Sequence, residues 1–242
     1  MKPLHHKTHT LAKRGLSLLC VLALCLGLLP VTALAAGEDA PEKLYVGNQH
    51  VIVAETITYW STNDSGELTR VYDATDDSND WTVRYDKNTA TLTLRGATIK
   101  TTNTSGNNAV IYAQSNSQSA VSLIIELEGR NTIECASALY GIYVNAQMSD
   151  TSYGKDASLT ITGEGSLDVS GSSYGIYVKS GSGDASLTIK EASVNANTTA
   201  SYGNNHGVYV MSGTYATSSP ALSLAVNGGS LTTSGSASGE GI

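Results

Sequence analysis

The stretch YGIYV occurs at residues 140–144 and again, unchanged, at 174–178, and a near copy, HGVYV, lies at 206–210. Its central Ile or Val recurs at positions 111, 142, 176, 208 and 242, at intervals of 31, 34, 32 and 34 residues. A fixed period of this length is typical of stacked structural units, each too small to bury its apolar face alone. The repeat therefore predicts a solenoid.

Two further patterns precede each copy in a fixed order. The first is TLTL at 91–94, SLII at 122–125, SLTI at 158–161 and 186–189, and SLAV at 223–226; the second is ATIK, NTIEC, GSLDV, ASVNA and GSLTT. All three patterns alternate apolar and polar residues with period two, which indicates strands with one buried face. Three strands per repeat predict a parallel β-helix, since a propeller blade requires four strands and a longer unit.

The alternation also predicts which side chains fill the core. Leu123, Leu159 and Leu187 are expected to stack in one interior column, and Cys135 to pack inside as an inert thiol. The same parity turns six residues of one repeat inward: Leu159, Ile161, Leu167, Val169, Ile176 and Val178. Outside, the patterns predict that Arg95 lies over Glu126 and Lys100 over Glu134.

The tyrosines of the third pattern are expected to point outward and form a ladder, with one ring on each coil. They are Tyr112, Tyr143, Tyr177 and Tyr209. Stacked aromatic rings stabilise a solenoid without any ligand. Exposed rings with hydroxyl groups also suit sugars, so the ladder is a candidate carbohydrate-binding site.

The first 35 residues have the layout of a secretory signal peptide: a basic start, an apolar run that ends at Pro30, and an A-x-A site at 33–35. This predicts a secreted or cell-surface protein. Removing the peptide takes away four of the 14 basic residues and none of the 21 acidic ones, so the net charge changes from −7 to −11. Such a charge argues against nucleic acid and anionic membranes as partners, and no membrane insertion is expected after cleavage.

Residues 36–88 lack the repeat and are predicted to form a β-rich N-terminal cap with an acidic loop at 62–80. The parallel β-helix is expected over residues 89–242. The chain stops inside the fifth copy of the tyrosine motif, from which we expect a longer protein. Oligomeric state is not indicated.

Two outward carboxylates on neighbouring coils, Glu134 and Asp168, form a candidate Ca²⁺ site, because this ion prefers oxygen ligands. The alternative is a solvated face with a surface ion pair. A second calcium candidate is a set of loop carboxylates without EF-hand spacing: Asp73, Asp76, Asp77 and Asp80.

Catalytic motifs are sparse, and no enzyme activity is predicted. GSSYG at 171–175 matches G-x-S-x-G, with Asp184 and His206 following in serine-hydrolase order. That motif requires a helix after the nucleophile, whereas a strand pattern follows here. A polysaccharide lyase or hydrolase would require carboxylates and a base clustered on one face.

Several segments together resemble the calcium-dependent carbohydrate-binding β-helix proteins secreted by clostridial plant-fibre degraders and their gut relatives. These segments are KLYVGN, WTVRYDKNTATLTLRGATI, SLIIELEGRNTI, YGIYV and SLTITGEGSLDVSG, and the likeness covers residues 44–242. The resemblance implies a right-handed parallel β-helix that binds cellulose or an acidic plant polysaccharide.

The leading hypothesis is therefore a secreted or surface-attached, non-catalytic β-helix that binds plant or host polysaccharide or adheres to it. The alternatives are a structural stalk that supports another module and, with less support from the residues, a polysaccharide lyase or hydrolase.

Overall fold

The computed structural model describes residues 39–102, 107–115, 119–135, 137–146, 155–200, 203, 205–213 and 219–235. The predicted signal peptide and Ile242 lie outside the described residues. Within these ranges every regular element is a β-strand, so no helix there has the length to cross a membrane.

The strands in chain order are β1 (Lys43–Val46), β2 (Gln49–His50), β3 (Ile57–Thr62), β4 (Leu68–Val71), β5 (Val83–Asp86), β6 (Thr91–Arg95), β7 (Thr98–Ile99), β8 (Ala109–Gln114), β9 (Val121–Glu128), β10 (Arg130–Glu134), β11 (Tyr140–Asn145), β12 (Ala157–Thr162), β13 (Ser166–Gly171), β14 (Tyr174–Ser180), β15 (Ala185–Lys190), β16 (Ser193–Thr198), β17 (His206–Ser212), β18 (Leu222–Asn227) and β19 (Ser230–Ser234).

From β6 onward the strands follow one another in groups of three, and each group is one coil. The three positions of the coil form three sheets. Sheet A has the order β17-β14-β11-β8-β1-β2, sheet B has β18-β15-β12-β9-β6-β5-β3-β4, and sheet C has β19-β16-β13-β10-β7. Pairing between coils is parallel throughout, which confirms the predicted parallel β-helix with three strands per coil. Its handedness stays a prediction.

The interior follows the predicted parity. Leu159 pairs in register with Leu123 on one side and with Leu187 on the other, and all three are fully buried. The six residues of one repeat that were expected inside are buried as well. Burial of a leucine side chain stabilises a fold by about 1.5–3 kcal/mol, so these columns carry much of the stability of the solenoid.

The N-terminal strands extend two of the three sheets with antiparallel pairing. β1 pairs with β8 and β5 pairs with β6, so the first coil of sheets A and B has no open edge on this side. Over sheet C, a turn of backbone takes the place of a strand: the carbonyl of Gly66 accepts a hydrogen bond from the Lys100 N–H (3.2 Å). A Cβ on Gly66 would lie 2.5 Å from that nitrogen, and its φ is +78°, so glycine suits this position twice over.

The segment expected to be an acidic loop contains a strand. β4 pairs antiparallel with β3, and Leu68 at its start is 2% exposed. Only one side chain of this four-residue strand is fully buried, so the strand has no apolar alternation that the sequence could show among the surrounding Asp, Ser and Gly residues.

The register between the second and third coils differs from the predicted one. Ile133 pairs with Val169, whereas the sequence patterns had matched it with Leu167. The residue opposite Leu167 is Asn131, which is fully buried. Because the polar Asn131 occupies the first inward position of β10, the apolar residues of this strand begin only at Ile133, two residues later. The match based on apolar residues is therefore wrong by two positions.

A similar shift affects the first coil, where Arg95 pairs with Glu128 and not with the predicted Glu126. The Arg95 guanidinium lies 3.7 Å from the ring centroid of Trp81 and donates hydrogen bonds to two backbone carbonyls. β7 pairs with β10 so that Ile99 lies opposite Ile133, and the next residues, Lys100 and Glu134, are therefore neighbours, as predicted. These two described residues do not form an ion pair.

Cys135 packs against the core but is only half-buried, so the prediction of an interior thiol holds in part. Its Sγ lies 3.2 Å from Oγ of Ser137.

Candidate functional site

The predicted tyrosine ladder is present on the outer face of sheet A. Tyr112, Tyr143, Tyr177 and Tyr209 pair in register across β8, β11, β14 and β17. Their neighbours on β8, β11 and β14, such as Ile142 and Val144, are fully buried in the core. The strict alternation of the strands therefore places all four rings on one side of the sheet.

A second aromatic column lies beside the ladder. It consists of Tyr140, Tyr174 and His206, which pair in register and stack on one another at centroid distances of 5.4 and 5.8 Å. Tyr140 also stacks on Tyr143 of its own strand at 4.6 Å. We call the seven residues of the two columns the aromatic array.

Strict parity would turn Tyr140 inward, because it precedes Tyr143 by three residues. The glycine between them removes this constraint. A Cβ on Gly141 would lie 2.6 Å from the carbonyl oxygen of Gly175 and 2.6 Å from Cγ2 of Val169, so only glycine allows the chain to pass so close at this corner. The Tyr-Gly-Ile-Tyr motif thus carries two outward rings, and its first tyrosine was the signal that the sequence analysis did not use.

The rings of the array are nearly parallel. From Tyr140 and Tyr143 to His206 and Tyr209, neighbouring planes differ by 14–28°, with centroids 4.6–5.8 Å apart. Tyr112 is tilted by 50° from Tyr143. Each inner ring therefore turns its faces towards its neighbours, and its edge and hydroxyl are the parts directed away from the stack.

The four tyrosines of the ladder differ in exposure, and the expectation of a row of exposed rings is wrong for two of them. Tyr112 is 1% exposed and Tyr177 is 8% exposed, whereas Tyr143 and Tyr209 are half-buried. All three residues of the second column are half-buried: Tyr140, Tyr174 and His206. The accessible part of the array is therefore the second column together with the edges of Tyr143 and Tyr209.

Burial dominates the chemistry of these phenols. It raises the pKa of Tyr143 and of Tyr177 above the ordinary value of 10.0, and the neighbouring phenols raise both further. The pKa of Tyr112 is raised by burial as well, although a hydrogen bond from Asn145 opposes the shift. At neutral pH these three phenols are therefore uncharged, and their hydroxyls can both donate and accept hydrogen bonds.

The array has an extension at the N-terminal side of sheet A. Tyr45 pairs with Tyr112 across β1 and β8, and His50 of β2 stacks obliquely on Tyr45 at 4.8 Å. The pKa of His50 is lowered by burial and by the nearby Lys43 ammonium. Every strand of sheet A therefore presents an aromatic ring on the same face.

The calcium candidates Glu134 and Asp168 lie on sheet C, two positions out of the predicted register. Glu134 pairs with Ser170, and Asp168 pairs with Thr132. The Asp168 carboxylate accepts hydrogen bonds from Arg130 (2.9 Å) and from Asn195 (3.2 Å). The two carboxylates are not register partners, as had been expected, but both line one depression of about 130 Å³. Calcium binding at this site stays a prediction.

The loop carboxylates Asp73, Asp76, Asp77 and Asp80 are all exposed. Asp76 accepts a hydrogen bond from the Tyr59 hydroxyl (2.9 Å) and pairs with the Arg84 guanidinium (2.7 Å), which leaves it engaged with protein groups. In the part of the chain that the structure describes, no three His, Cys, Asp or Glu residues are grouped to hold a metal ion.

The residues of the serine-hydrolase motif do not form a catalytic triad. Strand β14 follows Ser173 directly, so the motif lacks the helix that a nucleophile elbow requires. The Asp184 carboxylate accepts a hydrogen bond from the backbone N–H of Ala221 (2.7 Å), directly before β18 of sheet B. The motif is therefore part of a corner of the coil.

Comparison with known proteins adds no assignment. No family model matches the chain, and no match was found among curated proteins or among solved structures.

Proposed function

We propose that the protein is a secreted or surface-attached, non-catalytic β-solenoid that binds or adheres to polysaccharide through the aromatic array. The observation that carries this proposal is the row of half-buried phenol edges on one face of sheet A, repeated coil after coil. A polymer lying along the solenoid axis would meet the same groups about every 4.8 Å.

The geometry favours contact through ring edges and hydroxyl groups. Since the inner faces are covered by neighbouring rings, a sugar ring cannot stack flat on Tyr143 or Tyr177. The neutral hydroxyls of Tyr140 and Tyr174 are suited to exchange hydrogen bonds with sugar hydroxyls, each contributing about 0.5–1.5 kcal/mol. Several such contacts along one chain give useful affinity by multivalency.

The test is a pull-down on insoluble cellulose, xylan and pectin with a variant that keeps the stack. Tyr140→Phe combined with Tyr174→Phe preserves both rings and removes only their hydroxyls. We expect binding to weaken about fivefold or more while the circular dichroism and Tm stay as in the wild type.

Tyr72→Phe is the matched control, since Tyr72 is 79% exposed and lies outside the array. Wild-type protein that binds none of the polymers, or a Phe double variant that binds as strongly as the wild type, would overturn the proposal.

A structural stalk is the second candidate function. The burial of Tyr112 and Tyr177 favours it, because these two rings stabilise the stack without reaching a ligand. A stalk predicts that the Phe double variant changes neither stability nor any binding, whereas the polysaccharide hypothesis predicts a loss of binding alone.

A further inference from the structure

The second column of the aromatic array brings two phenols of adjacent coils together. Tyr140 of β11 pairs in register with Tyr174 of β14, and their rings stack with centroids 5.4 Å apart and planes inclined by 14°. On the coil before, Tyr140 pairs with Ala109, and on the coil after, Tyr174 pairs with His206. Within the described part of this column, Tyr140 and Tyr174 are therefore the one pair of tyrosines on neighbouring coils.

This pair is more accessible than the ladder beside it. Tyr140 and Tyr174 are half-buried, whereas Tyr177, which stacks on both of them, is 8% exposed. Tyr143 is also half-buried, but rings of both neighbouring coils lie against it. Tyr140 has the small Ala109 on the coil before it, and among the described residues no ring stacks on it from that coil. Tyr140 therefore has more freedom to turn than the ladder rings.

We propose that Tyr140 and Tyr174 form a dityrosine cross-link when the protein meets a one-electron oxidant, such as a peroxidase with hydrogen peroxide. Each phenol gives up one hydrogen atom, as a proton and an electron, and becomes a phenoxyl radical. The two radicals join through a new bond between the ring carbons next to the hydroxyl-bearing carbons. The hydrogens of those two carbons then move to the two oxygens, which restores both phenols. Hydrogen peroxide takes up the two electrons and two protons and becomes two molecules of water.

The fold favours coupling within one molecule. Because stacking holds the second phenol against the first, the reaction has the high effective concentration of an intramolecular step. Exposure alone does not provide this. Tyr72 is 79% exposed, but the group that lies over its ring is the Arg70 guanidinium, so a radical formed on Tyr72 has no stacked phenol as partner among the described residues.

The cross-link would fasten one coil to the next. It joins residues 34 positions apart, and a covalent link over such a distance stabilises a fold by restricting the unfolded chain. The described part of the chain has a single cysteine, Cys135, so no disulfide within it can do the same. The inference does not depend on polysaccharide binding.

The experiment treats dilute wild-type protein with a peroxidase and hydrogen peroxide, in the absence of any polysaccharide. We expect dityrosine fluorescence in the monomer fraction and a raised Tm. Trypsin cleaves after Lys155, so the link should appear by tandem mass spectrometry as two joined peptides, lighter by two hydrogen atoms, with the bond at Tyr140 and Tyr174.

The variants keep every ring and remove one hydroxyl each. Tyr174→Phe should lower the yield of the internal link about fivefold or more and abolish the rise in Tm, because one phenol of the pair is missing. Tyr177→Phe is the matched control on the same strand, and it should give the link as the wild type does.

The folded wild type also serves as its own reference, since unfolding in urea separates the two rings and should lower the yield of the link to a similar extent. Dityrosine confined to covalent dimers, a bond mapped to another pair of tyrosines, an equal yield in urea, or no dityrosine at all would each overturn the proposal. None of these outcomes bears on the proposed function, which the pull-down tests separately.

Discussion

Tyr143 lies directly over Tyr177: the two residues pair in register on adjacent coils, and their rings stack with centroids 4.9 Å apart and planes inclined by 14°. Tyr177 also touches Tyr140, Tyr174 and Tyr209, and its hydroxyl donates a hydrogen bond to Sδ of Met211 (2.8 Å). It is thus the centre of the array and is 8% exposed.

Removing this central ring should destabilise the solenoid. We expect Tyr177→Ala to lower the free energy of unfolding by about 3 kcal/mol, since truncation of a buried aromatic leaves a cavity and ends several ring contacts. Tyr177→Phe should cost less than about 1 kcal/mol, because only the weak hydroxyl–sulfur contact is lost. Urea denaturation measures both, with Tyr72→Ala as the exposed control. Equal costs for the two alanine variants would show that the array does not stabilise the fold.

The raised pKa values predict sensitivity to alkali. The folded protein keeps the buried phenols protonated at pH values at which the unfolded chain, with tyrosine pKa values near 10.0, has lost those protons. The stability is therefore fully present below about pH 10 and declines above it, by up to about 1.4 kcal/mol per pH unit for each buried tyrosine. Tyr85 in the N-terminal segment, whose pKa burial raises to about 12, contributes in the same direction.

The measurement is the absorbance of tyrosinate against pH, followed together with circular dichroism. Tyr143 and Tyr177 should ionise in one cooperative step that coincides with unfolding, and Tyr143→Phe should move that step to higher pH. Gradual ionisation near pH 10 without loss of structure would contradict the burial of these rings.

Replacing the buried Asn131 by an apolar residue should destabilise the fold, although Asn131 occupies a core position. Its Oδ1 accepts the Ala97 N–H (2.8 Å), and its amide donates to the carbonyls of Glu128, Gly129 and Ser166 (3.3–3.4 Å). Asn131→Leu places an apolar side chain opposite Leu167 but leaves the buried Ala97 N–H without its acceptor, whereas the carbonyls of Glu128 and Gly129 keep backbone donors. We expect a loss of about 1–3 kcal/mol or more.

Asn227→Leu, at the exposed end of β18, should stay within about 0.5 kcal/mol of the wild type in the same urea titration. A stabilised Asn131→Leu protein would mean that apolar burial outweighs the hydrogen bonds at this corner.

Calcium binding by Glu134 and Asp168 predicts a higher Tm in millimolar Ca²⁺, because an ion bound only by the folded coil stabilises it by mass action. For a chain of this size, 1 kcal/mol corresponds to a shift of about 3 °C. Glu134→Gln should abolish the shift, and Asp64→Asn, which changes an exposed carboxylate outside both calcium candidates, should leave it unchanged. No shift in the wild type, with chelator as reference, would dispose of calcium at this site.

The architecture could be predicted from the sequence because it depends on a simple physical rule. A strand with one buried face requires period two, and a stack of such strands requires a fixed repeat, so Leu123, Leu159 and Leu187 were identified as one column from spacing alone. The ladder followed from the same parity. Both rest on apolar side chains whose burial dominates the folding energy.

Three features could not be predicted from the alternation of inward and outward residues, and each has its own physical cause. Asn131 is a polar residue in a core position, so its hydrogen bonds, and not its hydropathy, set the register of β10 and moved Asp168 away from Glu134. Tyr140 departs from strict alternation because Gly141 lets the chain pass close to the next coil. Tyr177 lies against Tyr140 and Tyr174 of the second column, and Tyr112 lies against Tyr143 and Asn145 of the next coil. No local pattern in the sequence reveals these contacts or the burial that goes with them.

The claim that the aromatic array binds polysaccharide is tested most directly by nuclear magnetic resonance of protein with labelled tyrosine rings. Soluble oligosaccharides of the polymer that binds best in the pull-down are added, and the ring signals are assigned with single Tyr→Phe variants. The account predicts that signals of Tyr140, Tyr174 and Tyr209 shift in a saturable manner, while those of Tyr59, Tyr72 and Tyr85 stay in place. Unchanged array signals at saturating ligand, or shifts confined to tyrosines outside the array, would contradict it.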